Sequence, residues 1–336
     1  MKKKHFTIPV FVPELACPFQ CVYCNQRKIS GQLEVPSLEE IHQSIEAHLS
    51  TMNANESEIE IGFFGGNFTG IPRKEQENYL QGVQKYIQEE KVSGIRLSTR
   101  PDYIDAEVLD MLQQYHVHTI ELGAQSLDDS VLKASRRGHT AEDIEKASAL
   151  IRKKDFRLGL QMMLGLPGDN FTKSFNTAKK IVELKADDTR IYPCLVIRGT
   201  ELEEWYETGK YKPLSLEEAI DWTKAILPVF EKAGVNILRI GLHPSEGLAG
   251  GEDLVAGPFH PSFKELVLTE IWNELLQDHM KKHYRRRVKI HVPATEVNFA
   301  IGHKSKNKKE LQKYFDEVIF IPDEKISHRR LFVEYM

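Results

Sequence analysis

Cysteine is scarce in this chain. There are four among 336 residues, three within eight positions at 17, 21 and 24 and the fourth far away at 194. Cysteines so few and so crowded do not make a disulfide framework. A structural zinc site usually takes two Cys-x2-Cys knuckles or a Cys-Cys/His-His set, and no second knuckle exists here. Also lacking is any apolar run of about 18 residues, which excludes a membrane-spanning helix. The opening Met-Lys-Lys-Lys-His gives way within about ten residues to polar, proline-containing sequence, so it does not read as a signal peptide. Reduced thiols and no export signal predict a cytoplasmic setting. The formal net charge, −4, is too small to point by itself to a nucleic acid or a membrane.

What is present fits a globular protein with one large domain and an appendage: 41% of residues are apolar and 28% charged. Strand-like runs near 6–12, 58–64, 94–99, 118–123, 156–164 and 188–196 alternate with helical stretches near 37–50, 73–91, 105–115, 128–152 and 171–185. Ser37-Leu38-Glu39-Glu40 is a capping box at the start of the first of these helices. Six strands, each followed by helix, predict a parallel sheet with right-handed crossovers, open or closed as a barrel. After strand six the rhythm changes. A helix near 216–233 and a short strand near 236–240 lead into glycine-rich loops and a smaller α/β tail. The expected division is a core domain over 1–240 and a C-terminal extension over 241–336.

The cysteines form Cys17-x3-Cys21-x2-Cys24 in the loop that leaves the first strand. Three thiolates hold three irons of a [4Fe–4S] cube and leave the fourth iron open for chemistry. In α/β barrels, chemistry sits at the C-terminal ends of the strands, where this loop lies. Other strand ends carry notable residues. Phe64-Gly65-Gly66-Asn67 offers glycines that let a ligand approach the backbone, or simply make a turn. Ser98-Thr99-Arg100 offers a guanidinium for a carboxylate or ribose, while Asp102 or Asp105 serves as a helix cap. Glu121 and Gln125 are placed to face a cavity. Arg136-Arg137-Gly138-His139-Thr140 reads most simply as solvated helix-end charge with Thr140 as a cap. Gln161-Met162-Met163-Leu164-Gly165 reads as core with a glycine turn.

With Tyr23 just before the third cysteine, this pattern resembles the radical S-adenosylmethionine (radical SAM) superfamily. In that family SAM chelates the open iron. One electron splits it into methionine and a 5′-deoxyadenosyl radical, which abstracts a hydrogen atom. Four segments are similar to the radical SAM part of the elongator-complex catalytic subunit, which modifies the wobble uridine of tRNA: STRPDY, ELGAQSLDDSVLKASRRGHT, QMMLGLPG and IYPCLVIRGTELEEWYETGKYKP. The resemblance implies a partial (βα)6 TIM-like barrel with a small C-terminal α/β extension. It implies cluster ligation by Cys17, Cys21 and Cys24, contact of Tyr23 with adenine, and Gly65, Gly66, Arg100, Gln125 and Ser126 near SAM. An electron donor such as flavodoxin or ferredoxin is implied as well. There are departures. Asn67 stands where many members have Glu, Arg190 stands where Lys is common, and the first two cysteines are closer together than usual. Members also carry an acetyltransferase domain after this core. The residues after Pro261 show no acyl-CoA phosphate loop, so the acetyl-CoA reaction is not carried over.

Between 281 and 313, eleven Lys/Arg stand against two Glu, a local balance of +9. Tyr284, His291 and Phe299 are interleaved, a pattern that suits RNA phosphates or a solvated helix face. His243 and His260 sit on glycine-rich loops, as substrate-opening residues, as metal ligands with Glu246 or Asp253, or as plain loop histidines. Cys194 reads as core. Three functions stay open: a radical SAM enzyme acting on tRNA or other RNA, a radical SAM enzyme acting on a small molecule or peptide, and a non-catalytic RNA- or metal-binding protein.

Overall fold

The computed structural model describes residues 4–12, 17, 21–25, 35–52, 57–243, 245–280 and 287–336. They fall into two compact units, Met1–Ser215 with Pro228–Phe259 and Leu216–Leu227 with His260–Met336.

The first unit is built on a seven-stranded sheet, β1 (Lys4–Phe11), β2 (Ser57–Phe64), β3 (Gly94–Thr99), β4 (Val117–Gln125), β5 (Arg157–Leu164), β6 (Asp188–Pro193) and β8 (Asn236–Ile240), in that spatial order. Every neighbouring pair is parallel. Space and sequence share one order, as expected when each crossover packs back on the same side. The sheet curls into a half-barrel, the partial TIM-like core expected from the sequence. The six expected strands are all present. The short strand near 236–240 joins them as a seventh and forms the sheet edge, with β7 (Val196–Ile197) and β9 (Leu254–Ala256) pairing as a separate ribbon.

Local signals set the helices. Ser37 and Glu40 form the reciprocal capping box before the helix Leu38–Leu49, and Thr140 and Asp143 form another before Ala141–Lys153. The helix expected over 73–91 is broken at Val83 into Arg73–Gly82 and Gln84–Gln88. Gly82 is a weak helix former. It is retained because a Cβ there would come within 2.7 Å of Leu38.

Strand residues alternate between faces, and here the division is unusual. Ile59, Ile61, Phe63, Ile95, Leu97, Ile120, Leu122, Leu158, Leu160 and Ile191 are buried on one face. The opposite face carries charge. Arg96 on β3 lies 3.0 Å from Glu60 on β2, 3.1 Å from Glu121 on β4 and 3.1 Å from Asp188 on β6. Each carboxylate has a second basic neighbour: His5 for Glu60, Arg190 for Glu121 and Arg157 for Asp188. Asn236 on β8 also donates to Asp188. The layer thus ties β1 to β8 through side chains. Gly159 leaves room for it, since a Cβ there would meet Glu121 Cγ at 2.7 Å. Burial would raise the pKa of Glu60, but the His5 hydrogen bond and the Arg96 charge outweigh it and hold it below the ordinary value. Its stabilising effect is therefore present above the unfolded-state pKa and lost as pH falls through the folded one.

The second unit packs a mixed three-stranded sheet against helices. Strand β10 (Arg287–Pro293) lies between β11 (Glu317–Asp323), which is parallel to it, and β12 (Phe332–Tyr335), which is antiparallel. Its core holds Trp272, Leu276, Val288, Ile290, Val292, Leu311 and Phe315. The Trp272 indole donates to buried Glu296 at 3.0 Å, and Glu296 also meets His328.

Removing Arg96 strands three carboxylates on the inner face. Arg96→Met is expected to destabilise the first unit by about 3–5 kcal/mol, the range for breaking a buried ion pair by deleting one partner. Urea unfolding followed by circular dichroism measures this. An unchanged midpoint would show that the layer does not hold the sheet together.

Candidate active site

Because all seven strands are parallel, their C-terminal ends share one edge, and the stretches singled out in the sequence meet there. The cysteine loop leaves β1, the glycine pair leaves β2, Arg100 follows β3, and Gln125 and Ser126 end β4. Of the loop, Cys17 is exposed, Cys21 is buried and Cys24 is half-buried. Residues 13–16, 18–20 and 26–34 lie outside the described ones. Among the described residues no three His, Cys, Asp or Glu side chains gather closely enough to hold a metal ion.

The segment 21–25 is fixed from three sides. Cys24 N–H donates to the Cys21 carbonyl at 3.0 Å, closing a turn between the two thiols. Val22 N–H donates to the Ser135 carbonyl, and the Val22 carbonyl accepts from Leu202 N–H at 2.8 Å. Val22 and Tyr23 pack with Val131, Leu166, Cys194, Val196, Leu202 and Tyr211. Tyr23 is buried, and its hydroxyl has no hydrogen-bond partner among the described residues. Burial pushes its pKa well above the ordinary tyrosine value, so it stays neutral and available to donate.

A side chain whose sequence context suggests solvent turns out to touch a cysteine. Arg137 is buried, and its Nη1 lies 3.2 Å from Cys21 Sγ while Nη2 donates to the Gly123 carbonyl at 2.6 Å. Burial opposes its charge, but Tyr23 and the Cys21 and Cys24 sulfurs offset that and raise its pKa. The guanidinium thus sets a permanent positive charge against the Cys21 sulfur. Nothing in the spacing separates Arg137 from Arg136. Its neighbour is exposed, pairs with Glu201 and lies over Trp205.

Arg100 is also buried, but its fork is engaged within the chain. Nε and Nη2 donate to Asp102 at 3.0 and 2.8 Å, and Nη2 donates to the Arg137 carbonyl at 2.7 Å. Asp105 caps the next helix. Asn67 is buried, and its Oδ1 accepts from Thr99 Oγ1 at 2.8 Å, pinning the β2 turn to the end of β3. Gly65 has φ +128°, and a Cβ on it would lie 2.1 Å from the Val12 carbonyl oxygen. Only glycine fits beside the strand that leads into the cysteine loop. Gly66 follows with φ +113°. Gln125 takes φ +65° and accepts from Gln161 at 3.2 Å. Ser126 is buried, accepts from Asp128 N–H and meets Thr177. Both oxygens of Glu121 are occupied by Arg96 and Arg190. The two loop histidines are not gathered into one site. His243 meets Arg239 in the first unit, and His260 meets His303 in the second. Burial pushes the Cys194 thiol up to about 12, which suits a core residue.

His139 lies between these cations. Burial first, then the Arg137 and Arg100 charges, push its pKa down to about 3. The unfolded chain, with a histidine near 6.5, takes up this proton first. Wild-type protein should therefore lose stability, relative to His139→Leu, as pH falls from about 6.5 towards 3, by up to about 1.4 kcal/mol per pH unit. Urea midpoints of the metal-free proteins at pH 7 and 5 give the comparison, and a pH-independent difference would contradict it.

Comparison with known proteins agrees with the edge geometry. Residues 14–181 match the radical SAM superfamily, and residues 186–273 match the radical SAM C-terminal domain. An uncharacterised protein of Methanocaldococcus jannaschii is 31% identical over 232 residues, covering 65% of this chain and 70% of that protein. The tRNA uridine(34) acetyltransferase of the same organism is 36% identical over 157 residues, 44% of this chain and 29% of that protein. Elongator complex protein 3 of Saccharomyces cerevisiae is 30% identical over 189 residues, 50% of this chain and 34% of that protein. The chain therefore spans about a third of the length of those two relatives. In fold, the archaeal Elp3 of Methanocaldococcus infernus superposes with a TM-score of 0.66 at 22% identity, over 82% of this chain and 65% of that one. With half of its length matched by the superfamily and most of the remainder by the associated C-terminal domain, the chain belongs to the radical SAM superfamily of enzymes.

Proposed function

We propose that Cys17, Cys21 and Cys24 hold a [4Fe–4S] cluster, that SAM binds beside it along the C-terminal edge of the half-barrel, and that the substrate is RNA, with tRNA favoured. The observation that carries the first part is the buried Arg137 guanidinium against Cys21 Sγ, at 3.2 Å, on that edge. The donor set fits the group: three thiols within eight residues, with a fixed cation on one sulfur and the neutral Tyr23 hydroxyl one residue from Cys24.

When bound, cluster and SAM supply one-electron cleavage of the SAM sulfonium and, through it, hydrogen-atom abstraction from a substrate. The electron comes from an external donor of the flavodoxin or ferredoxin kind. The chain's own residues bind, hold and shield. Arg137 holds a fixed positive charge against Cys21 Sγ. Arg100, fixed by Asp102, holds the Arg137 backbone in place. Asn67 and Gly65 fasten the β2 turn to β3 and β1, which sets the height of Gly66 against the cysteine loop. Gln125 and Ser126 sit where β4 opens onto the same edge, next to Arg100, on the side proposed for SAM. The apolar cluster around Val22 and Tyr23 keeps water from the cysteine segment.

Support for RNA comes from relatives named tRNA uridine(34) acetyltransferase and from the basic segment of the second unit. Residues 281–286 lie outside the described ones. Of the described cations there, Arg287, Lys306 and Lys313 pair with Glu317, Glu270 and Glu310. Lys304, Lys308 and Lys309 have no carboxylate within ion-pair distance among the described residues. Phosphate contacts from these side chains give affinity that falls with salt.

Anaerobic reconstitution with iron and sulfide, followed by SAM and dithionite, tests the chemistry. Wild type is expected to release 5′-deoxyadenosine and Cys24→Ala to release none. Equal product from both would overturn the cluster assignment, and none from either would favour a non-catalytic binding protein. The RNA reading has its own measurement. Replacing Lys304, Lys308 and Lys309 with Gln should weaken tRNA binding and lower the slope of log affinity against log salt by about 0.7–0.9 for each phosphate no longer neutralised. An unchanged slope, or SAM cleavage indifferent to tRNA, would favour a small-molecule or peptide substrate.

A further inference from the structure

Arg190 on β6 and Arg239 on β8 are register partners in the parallel sheet. Like charges placed side by side across two strands are unfavourable. Arg190 resolves its share. Its guanidinium takes both oxygens of Glu121, at 2.6 and 3.1 Å, and lies over the Phe64 ring at 5.3 Å. Arg239 has no such relief. Its Nε donates to the Gly241 carbonyl at 3.0 Å and its Nη2 to His243 Nδ1 at 3.1 Å. Among the described residues no carboxylate pairs with it. Burial, together with the Arg190 charge, depresses its pKa, yet a guanidinium keeps its proton. The edge strand thus carries a half-buried cation that lacks a counter-charge, at the C-terminal end of the sheet, on the edge that also carries the cysteine loop.

The surrounding groups are all donors. Because Arg239 donates to His243 Nδ1, the histidine's own proton sits on Nε2, which remains to donate. Both burial and the Arg239 charge lower the His243 pKa and keep the ring neutral. The Tyr192 hydroxyl accepts at most a long contact from Arg190 Nη1, 3.5 Å, and its hydrogen is likewise left over. Three donors of different kinds, Arg239 Nη1, His243 Nε2–H and Tyr192 O–H, stand at the ends of β6 and β8, and the described structure supplies them with no acceptor.

We propose that Arg239, His243 and Tyr192 form a subsite for one oxyanion of the substrate, a phosphate or a carboxylate, beside the radical chemistry at the mouth of the half-barrel. This rests on the reading of that edge as the active site and is independent of whether the substrate is RNA. Arg239 supplies the positive charge and Nη1 as the first donor, His243 the second donor, and Tyr192 the third. The Glu121–Arg190 pair beneath them balances its own charge and leaves the net positive potential to Arg239.

The test is equilibrium binding by calorimetry on the cluster-loaded protein, without reductant, at ionic strength fixed with sodium chloride. The probes are inorganic phosphate, uridine 5′-monophosphate and acetate. Wild type is expected to bind at least one of them, and Arg239→Gln to weaken that binding by about tenfold or more, the scale expected when a charge-assisted hydrogen bond is removed. Arg239→Lys keeps the charge without the fork and should fall between. If Arg239→Gln fails to fold by circular dichroism, Arg239→Lys and His243→Gln carry the decision. A preference for the phosphate probes assigns a phosphate, and equal binding of acetate extends the subsite to carboxylates. Affinities that are the same in wild type and variants, or no binding of any probe to wild type, would overturn the subsite. Loss of phosphate binding at saturating SAM would give the oxyanion to the SAM carboxylate and overturn its assignment to the substrate. Failure of SAM cleavage or of tRNA binding in the earlier experiments would leave these affinities where they are, so the two readings fail separately.

Discussion

Arg96 is the constraint on which the half-barrel depends. One guanidinium with three carboxylates, each on a different strand, determines how β2, β3, β4 and β6 sit relative to one another. Its cost is desolvation, since a buried ion must recover from its partners what it loses from water. The outer ring of His5, Arg190 and Arg157 answers this by giving every carboxylate a second basic neighbour. The apolar faces of the strands are left to the helices outside. The sheet is thus oily towards its helices and ionic towards its concave side.

Above that layer the edge residues form a scaffold more than a set of free ligands. Arg100 is engaged by Asp102 and by the Arg137 backbone, Asn67 by Thr99 and Ser126 by Asp128, while Gly65 packs too close to the Val12 carbonyl for any side chain. The Asn67–Thr99 bond joins the end of β2 to the end of β3, and the Arg100–Arg137 bond ties the end of β3 to the segment that follows β4. Together they place Arg137 under Cys21. Preorganisation of this kind is what a radical site needs, because small displacements are costly when reacting atoms must be held close.

Much of this was legible in the sequence. The alternation of strand and helix predicted the parallel sheet, the capping box at Ser37 and the cap at Thr140 marked two helix starts, and the Cys-x3-Cys-x2-Cys loop marked the edge where the motifs meet. What was not legible depends on which way a side chain turns. Arg136 and Arg137 are neighbours of one type, and only the tertiary fold sends one to solvent and the other to Cys21. Glu60, Arg96, Glu121 and Asp188 lie far apart in the chain, each looking like a polar residue in an otherwise apolar strand. No local pattern reveals that they meet. The pairing of Arg190 with Arg239 required the seventh strand to join the sheet, and periodicity registers a strand without its neighbours.

The bonds that hold the cysteine segment also fix an order of events. Val22 is bonded to Ser135 and Leu202, and Cys21 to Arg137, partners more than a hundred residues further along the chain. A segment emerging early from the ribosome has none of these supports until some two hundred residues have been made and the sheet has closed beneath them. Long-range contacts of this kind form late in folding. The segment 21–25 is consequently among the last parts of the first unit to take shape, after the sheet beneath it has formed.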